Sequence, residues 1–333
     1  MCAHKLCGRR SDDFEDRGAA DSDDEYFRQN DSLHMKPSSM YAALAQQLSV
    51  SAILAHPKFP AILLAYADRL LAMRRGERLM NQLLAQRERE FLGFLLLCQH
   101  YAHLEGGPPP TLGRLAVSGL GSARRVAAFI NLLRISGFAR ATPDPDDKRQ
   151  RILEPTQRLI DLHRDWTQAA FHQLDRFLET PLLEWHLATD LAFHRRACLI
   201  GAEDIFNGTS FAPGRFPLVD FLTPHRGGHL IAASLAQALC AGGQMAESLT
   251  IKLPYGKLAR RLGVSRSHVL NVFAAAAEKG YLETGDAGRR IELTENSRAD
   301  LLGYFAHELS FIGQNAVRAC DPSTPLDIAW LSK

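Results

Sequence analysis

Two stretches of this 333-residue chain, Thr111–Thr156 and Leu253–Thr294, repeat one another. Leu115 and Leu258 stand 143 positions apart, and the same offset pairs Gly113 with Gly256, Arg114 with Lys257, Ala116 with Ala259, Ser122 with Ser265, Val126 with Val269, Gly137 with Gly280 and Phe138 with Tyr281. An internal repeat constrains a fold more than composition does, because one supersecondary unit must satisfy both copies. Beyond the matched part the offset falls to 138, between Thr156 and Thr294, so the second copy closes five residues sooner.

Each copy reads as a winged helix-turn-helix. In the first, a short helix (Leu112 to Val117) ends at Gly119-Leu120-Gly121, where glycine permits the backbone geometry of a tight turn. Ser122 is an N-cap, and Val126, Phe129, Ile130 and Leu133 follow at helical spacing as the inward stripe. The outward face carries Arg124, Arg125, Asn131 and Arg134, donors suited to phosphates and base edges. Gly137 ends the helix, and a two-stranded ribbon follows, Phe138 to Thr142 and Lys148 to Leu153, around a Pro/Asp-rich turn (wing about 138–153). In the second copy the stripe recurs as Val269, Val272, Phe273 and Ala276, and the shorter wing spans about 281–293.

These residues resemble the DNA-binding core of the MarR family of bacterial transcription regulators, most clearly in Gly137-Phe138 followed by Asp144-Pro145-Asp146-Asp147-Lys148-Arg149, a strand and a helix-opening Thr. The resemblance implies a wing in which Arg149 lies in or beside the minor groove while Asp147 holds it, with Lys148 and Arg151 adding charge. The offset of about 143 is the size of one MarR-type subunit, and that family acts as symmetric dimers joined by terminal helices. A single chain with two such units implies a fused pseudo-dimer, whose two reading helices (122–136 and 265–279) enter successive major grooves about 34–36 Å apart. It also implies a small-molecule effector between the helical layer and the winged unit.

The expected fold is therefore mainly α with small β-wings, tandem winged units in a helical scaffold with a pseudo-two-fold arrangement. The boundaries are an acidic tail at 1–34, a first unit at 35–180 and a second at 181–333. With 46% hydrophobic and 23% charged residues the chain has a globular balance, and a net charge of +2 announces no polyanionic partner. Its distribution is more telling: Thr111–Trp166 holds ten Lys/Arg against six Asp/Glu, Met1–His34 five against nine. Low apolar content predicts disorder for that tail, which either does nothing or competes with DNA for the basic face. No secretory signal or membrane span is read, giving a cytoplasmic protein without a membrane partner. Further helices are expected over Ser38–His103 with a break at Pro57 and Pro60, over Met80–Leu104, from Thr156 to Leu178, over Leu183–Ile200, over Leu230–Cys240 and from Thr294 to Arg318. Gly201–Gly228 reads as loop.

The two readers differ. The second offers Ser265, Arg266, Ser267, His268 and Asn271, with Arg289 and Arg290 in its wing and Ala274–Ala277 where the first has Asn131–Arg134. Diverged readers prefer unlike half-sites, and the second unit either grips less or serves dimerisation or sensing. Cys98 and Cys240, offset by 142, read as core thiols or a redox switch. Cys2, His4 and Cys7, and the pairs His100/His103 and His225/His229, lack a full ligand set, so no metal and no cofactor is read. No phosphate loop, nucleophile elbow or paired carboxylates appear, and no enzyme is expected. The function expected is sequence-specific binding of double-stranded DNA as a transcription regulator, monomeric as a pseudo-dimer or further homodimeric. The alternatives are a replication-initiator-like tandem winged protein and a winged-helix protein adaptor.

Overall fold

The computed structural model describes residues 37–73, 83–84, 86–190, 192–206, 211, 214–285, 290–326, 328 and 330. The acidic segment 1–34, with Cys2, His4 and Cys7, lies outside them. Two compact units divide at Met40. The described part of the first is residues 37–40, the opening turn of helix α1 (Pro37–Gln47); the unit from Tyr41 onward holds every other element.

Of the described residues 67% are helical, in fourteen helices, with small two- and three-stranded antiparallel sheets beside them. After α1 come α2 (Val50–Ala55), α3 (Phe59–Met73), α4 (Arg87–Leu104), α5 (Leu112–Ala116), α6 (Ala123–Ile135), β1 (Ala139–Pro143), β2 (Arg151–Pro155) and α7 (Gln157–Leu178). The second run is α8 (Leu182–Thr189), α9 (Phe193–Phe206), α10 (Pro217–Leu222), α11 (Gly228–Leu239), β3 (Thr250–Lys252), α12 (Tyr255–Leu262), α13 (Arg266–Glu278), β4 (Leu282–Gly285), β5 (Arg290–Leu293) and α14 (Glu295–Cys320).

Both repeats fold as a helix-turn-helix closed by a hairpin. Ser122 Oγ accepts from Arg125 N at 3.4 Å and Ser265 Oγ from His268 N at 3.0 Å, so the paired serines cap α6 and α13. Gly137 and Gly280 end those helices at φ +74° and +75°, a conformation that would strain a side chain. The inward stripes are buried as the spacing predicts: Val126, Phe129, Ile130 and Leu133 in α6; Val269, Val272, Phe273 and Ala276 in α13. In the hairpins Ala139 faces Pro155 and Leu282 faces Leu293. The repeats part at one strand. β3 pairs with β5, while the matching place before α5 is Pro108–Pro110, whose missing N–H groups leave one bond, Leu153 N to Pro110 O at 2.8 Å.

The helices around the repeats are exchanged. α3 packs on α7 of its own half and on α11 of the other; α9 packs on α14 of its own half and on α4 of the other. Likewise α2 lies on α14, α8 on α7, and α7 on α14. The same set of contacts thus recurs with the halves interchanged, the pseudo-two-fold relation. It also explains the two hydrophobic clusters: Cys198, Leu199 and Ala202 of α9 complete the core of the first winged unit, whereas Ile62, Leu63, Tyr66 and Leu70 of α3 join the larger core of the second.

Two expectations need correction. The helix expected over Leu183–Ile200 is broken: α8 is capped at Asp190, whose backbone is extended and whose Oδ1 accepts from Ala192 N at 2.7 Å, just before α9 begins. The stretch 201–228, read as loop, contains the last turns of α9 and α10, the latter started by Pro217, whose fixed φ suits a first helical turn. The helix expected from Met80 is described from Arg87; residues 74–82 lie outside the described part.

Candidate nucleic-acid interface and central cavity

The structure leaves the basic sequence-derived residues of the first unit exposed on two elements that pack together, α6 and the β1–β2 hairpin, with Asp147 half-buried at the tip. Ser122, Arg124, Arg125, Asn131 and Arg134 are exposed along α6, and Lys148, Arg149 and Arg151 are exposed in the hairpin beyond it. Among the described residues Arg124, Arg134, Lys148, Arg149 and Arg151 make no ion pair, so their charge is free for a polyanion. Arg125 lies 3.9 Å from Glu88 Oε2 on α4, a weak exposed pair.

The hairpin tip is built by aspartates. Asp144 is buried, and its Oδ1 accepts from Asp146 N at 2.9 Å, an Asx turn. Asp147 Oδ1 accepts from the backbone N–H of Arg149 at 2.9 Å and Oδ2 from Gln150 Nε2 at 3.0 Å, which holds its carboxyl below the usual range. Asp147 therefore orders Arg149 through the main chain and leaves the guanidinium outside.

The second unit presents a different face. Ser265, Arg266, Ser267 and Asn271 are exposed, and Arg290 is exposed on β5. His268 is half-buried and its Nε2 donates to Arg226 O at 3.0 Å, an exposed bond that ties α13 to the segment before α11 and occupies that nitrogen. Arg289 and Asp286 lie outside the described residues.

At the seam between the halves lies a cavity of about 210 Å³, walled by α3, α4, α7, α9, α11 and α14 and lined mostly by apolar groups such as Leu70, Phe94, Trp166 and Phe311. Two polar clusters face it. On one side Glu308 of α14 accepts from Tyr66 Oη at 2.6 Å and lies 3.0 Å from His229 Nε2, so one residue each of α3, α11 and α14 meets around a buried carboxyl–imidazole pair. On the other, His163 of α7 meets His194 and Cys198 of α9: His163 Nδ1 is 2.9 Å from His194 Nε2 and 3.8 Å from Cys198 Sγ, which is 3.7 Å from His194 Nε2. Tyr101 Oη of α4 stands 3.1 Å from His194 Nδ1, and Phe94 stacks on the His163 ring at 5.2 Å. Burial pushes His163 down to about 4, and burial with the neighbouring His163 and Arg164 pushes His194 to about 2, so both imidazoles are neutral; burial pushes the Cys198 thiol up.

Sequence reading missed this trio. His194-x-x-x-Cys198 is a helical ligand spacing present in the chain, but His163 lies 31 positions away and only the exchange of α9 onto the first half brings it near. The histidine pairs that were read go elsewhere. His103 Nδ1 is 2.9 Å from Gly107 O, His225 Nδ1 is 2.9 Å from Phe221 O, and His229 turns to Glu308. Cys98 and Cys240 are buried free thiols in separate clusters. Among the described residues no helix is long and apolar enough to cross a membrane. Comparison with protein-family models, curated proteins and solved structures finds no match.

Proposed function

We propose that the chain is a sequence-specific DNA-binding transcription regulator, a single-chain counterpart of a MarR-type dimer, and not an enzyme. The observation that carries this reading is the conjunction of two capped helix-turn-helix-hairpin units around an exchanged helical core, the first of which carries exposed arginines outside any ion pair on both its helix and its hairpin. α6 is the major-groove reader and the first hairpin the minor-groove arm, with Arg124, Arg134 and Arg149 as the principal donors to phosphates and guanine edges. α13 is the weaker reader. It offers Arg266, Ser267 and Asn271, and its alanine run from Ala274 to Ala277 gives no long donors. Such a pair prefers an imperfect two-part site, with the second reader helping through effective concentration.

The seam cavity supports regulation by a small molecule. It is apolar with a few convergent polar groups, and its walls include α7, which begins directly after β2, so an occupant there acts on the first hairpin through one rigid helix. The test is retention of sheared genomic DNA by the purified chain, with sequencing of the retained fragments. The expected result is enrichment of fragments sharing a two-part site, lost in the Arg124→Ala/Arg125→Ala/Arg149→Ala variant. Absence of enrichment at low salt refutes the reading and turns it toward a protein adaptor; melting of DNA beside repeated sites turns it toward replication initiation.

A further inference from the structure

We infer that His163, His194 and Cys198 form a binding site for a zinc-class divalent cation, with three protein ligands and a fourth position open to the seam cavity. Three observations converge on it. The first is distance. A tetrahedral zinc with N at about 2.0–2.1 Å and S at about 2.3 Å sets its nitrogens about 3.4 Å apart and its N and S about 3.6 Å apart. The observed separations are 2.9, 3.8 and 3.7 Å, within about half an ångström of that arrangement, and all three donor atoms lie within 4.8 Å of one another.

The second is the outer layer. Tyr101 Oη beside His194 Nδ1 can accept that nitrogen's proton, which leaves the Nε2 lone pair directed at the shared point. Phe94 stacked on the His163 ring fixes the plane in which Nδ1 points. His194 and Cys198 are one helical turn apart on α9, so their donors need no backbone rearrangement to converge.

The third is donor chemistry and access. Two imidazoles and a thiol suit zinc and its spectroscopic substitute cobalt(II) far better than magnesium or calcium, which take oxygen ligands. All three residues line the cavity, so the fourth coordination place faces its open space. Loading forms one metal–sulfur and two metal–nitrogen bonds; the Cys198 thiol breaks its S–H bond and releases one proton to the buffer, with no change of oxidation state.

The consequence for regulation rests on the proposed function. The site joins α7, which leads out of the first hairpin, to α9, which belongs to the other half, so a bound metal fastens the seam that sets the two readers. The cavity's small-molecule occupant then completes the metal's coordination through an anionic, thiol or nitrogen donor.

The experiment uses the full chain, stripped with chelator and titrated with Co²⁺. Saturation at one ion per chain, with tetrahedral visible bands and a near-ultraviolet thiolate-to-cobalt band displaced by Zn²⁺, is expected. Cys198→Ser removes the thiolate band and His194→Gln weakens binding at least tenfold, while Cys98→Ser, at the neighbouring buried thiol, retains the band. Tyr101→Phe keeps the band and weakens binding by about tenfold, the usual effect of losing an outer-layer partner. Far-ultraviolet circular dichroism checks that each variant folds. No cobalt bands, a pale octahedral spectrum, or a thiolate band that survives Cys198→Ser overturns the site and leaves the pair of histidines as a plain hydrogen bond. Metal binding is read without DNA, so a chain that binds cobalt as described but no DNA refutes the regulator alone.

Discussion

Replacing Glu308 by Gln probes the buried pair that holds α3, α11 and α14 together. Glu308 is 5% exposed, accepts from Tyr66 and lies 3.0 Å from His229 Nε2. Gln keeps the volume and an acceptor for Tyr66 but removes the charge. Burial by itself would lower His229, yet the adjacent Glu308 carboxylate outweighs it and leaves the imidazole above its ordinary 6.5. For Glu308 burial pulls upward, and His229 with the Tyr66 and Tyr304 hydroxyls outweighs it, leaving the carboxyl below its ordinary 4.5. A base raised on folding contributes its stability below the unfolded value and loses it as pH rises through the folded one. An acid lowered on folding contributes above the unfolded value and loses it as pH falls through the folded one. The pair therefore contributes in full between 4.5 and 6.5. Breaking a buried pair costs about 3–5 kcal/mol, and the lower end applies here because His229 sheds its proton once its partner is neutral. The variant should thus lose about 3 kcal/mol at about pH 5.5, and that deficit should shrink at about pH 9, where the wild-type chain keeps a buried carboxylate without its cation. Urea denaturation of both proteins at the two pH values, followed by circular dichroism, reads the difference. An equal deficit at both, or a larger one at high pH, refutes a charged pair.

Three other outcomes follow from the geometry. Log affinity for duplex DNA against log salt should lose about 2.7 from its slope in the Arg124→Ala/Arg125→Ala/Arg149→Ala variant, about 0.9 per phosphate contact removed; an unchanged slope places these arginines off the backbone. Ser122→Ala and Ser265→Ala should each cost about 1 kcal/mol in denaturation, with the shorter bond of Ser265 making its loss no smaller than that of Ser122. Gly228→Ala should cost about 3 kcal/mol or prevent folding, because a Cβ there would stand 1.8 Å from Leu222 O; a melting temperature equal to wild type contradicts that close approach.

What could be read from the sequence was what local chemistry decides. Ser122, Ser265, Gly137 and Gly280 mark helix ends by cap and φ, and the stripes of α6 and α13 mark inward faces, so both winged units were legible. α7 was legible to its last residue because its amphipathic run is uninterrupted as far as Pro181. The exchange of α3 and α9 was not, since periodicity tells which face of a helix is apolar and not which half that face meets. The metal-ligating trio was hidden for the same reason. β3 escaped notice because its counterpart in the first repeat is a run of prolines that forms no strand. The break between α8 and α9 turns on one Asp190 hydrogen bond, too small a signal against the helical composition around it.

The interlocking of α3 and α9 also bears on how the two halves could diverge. Each half's core is finished by a helix from the other, so a chain cut between Glu179 and Leu182 should yield fragments that regain structure only when mixed. Covalent linkage then fixes their ratio at one to one. Two separate genes encoding unlike subunits would have to sort themselves from like-with-like pairs at every round of synthesis, and any drift at the seam would penalise the wrong assortments as well as the right one. A joined chain faces no such sorting, which leaves its second winged unit free to diverge from the first and its seam free to become asymmetric, with an acid–imidazole pair on one side and a thiol with two imidazoles on the other.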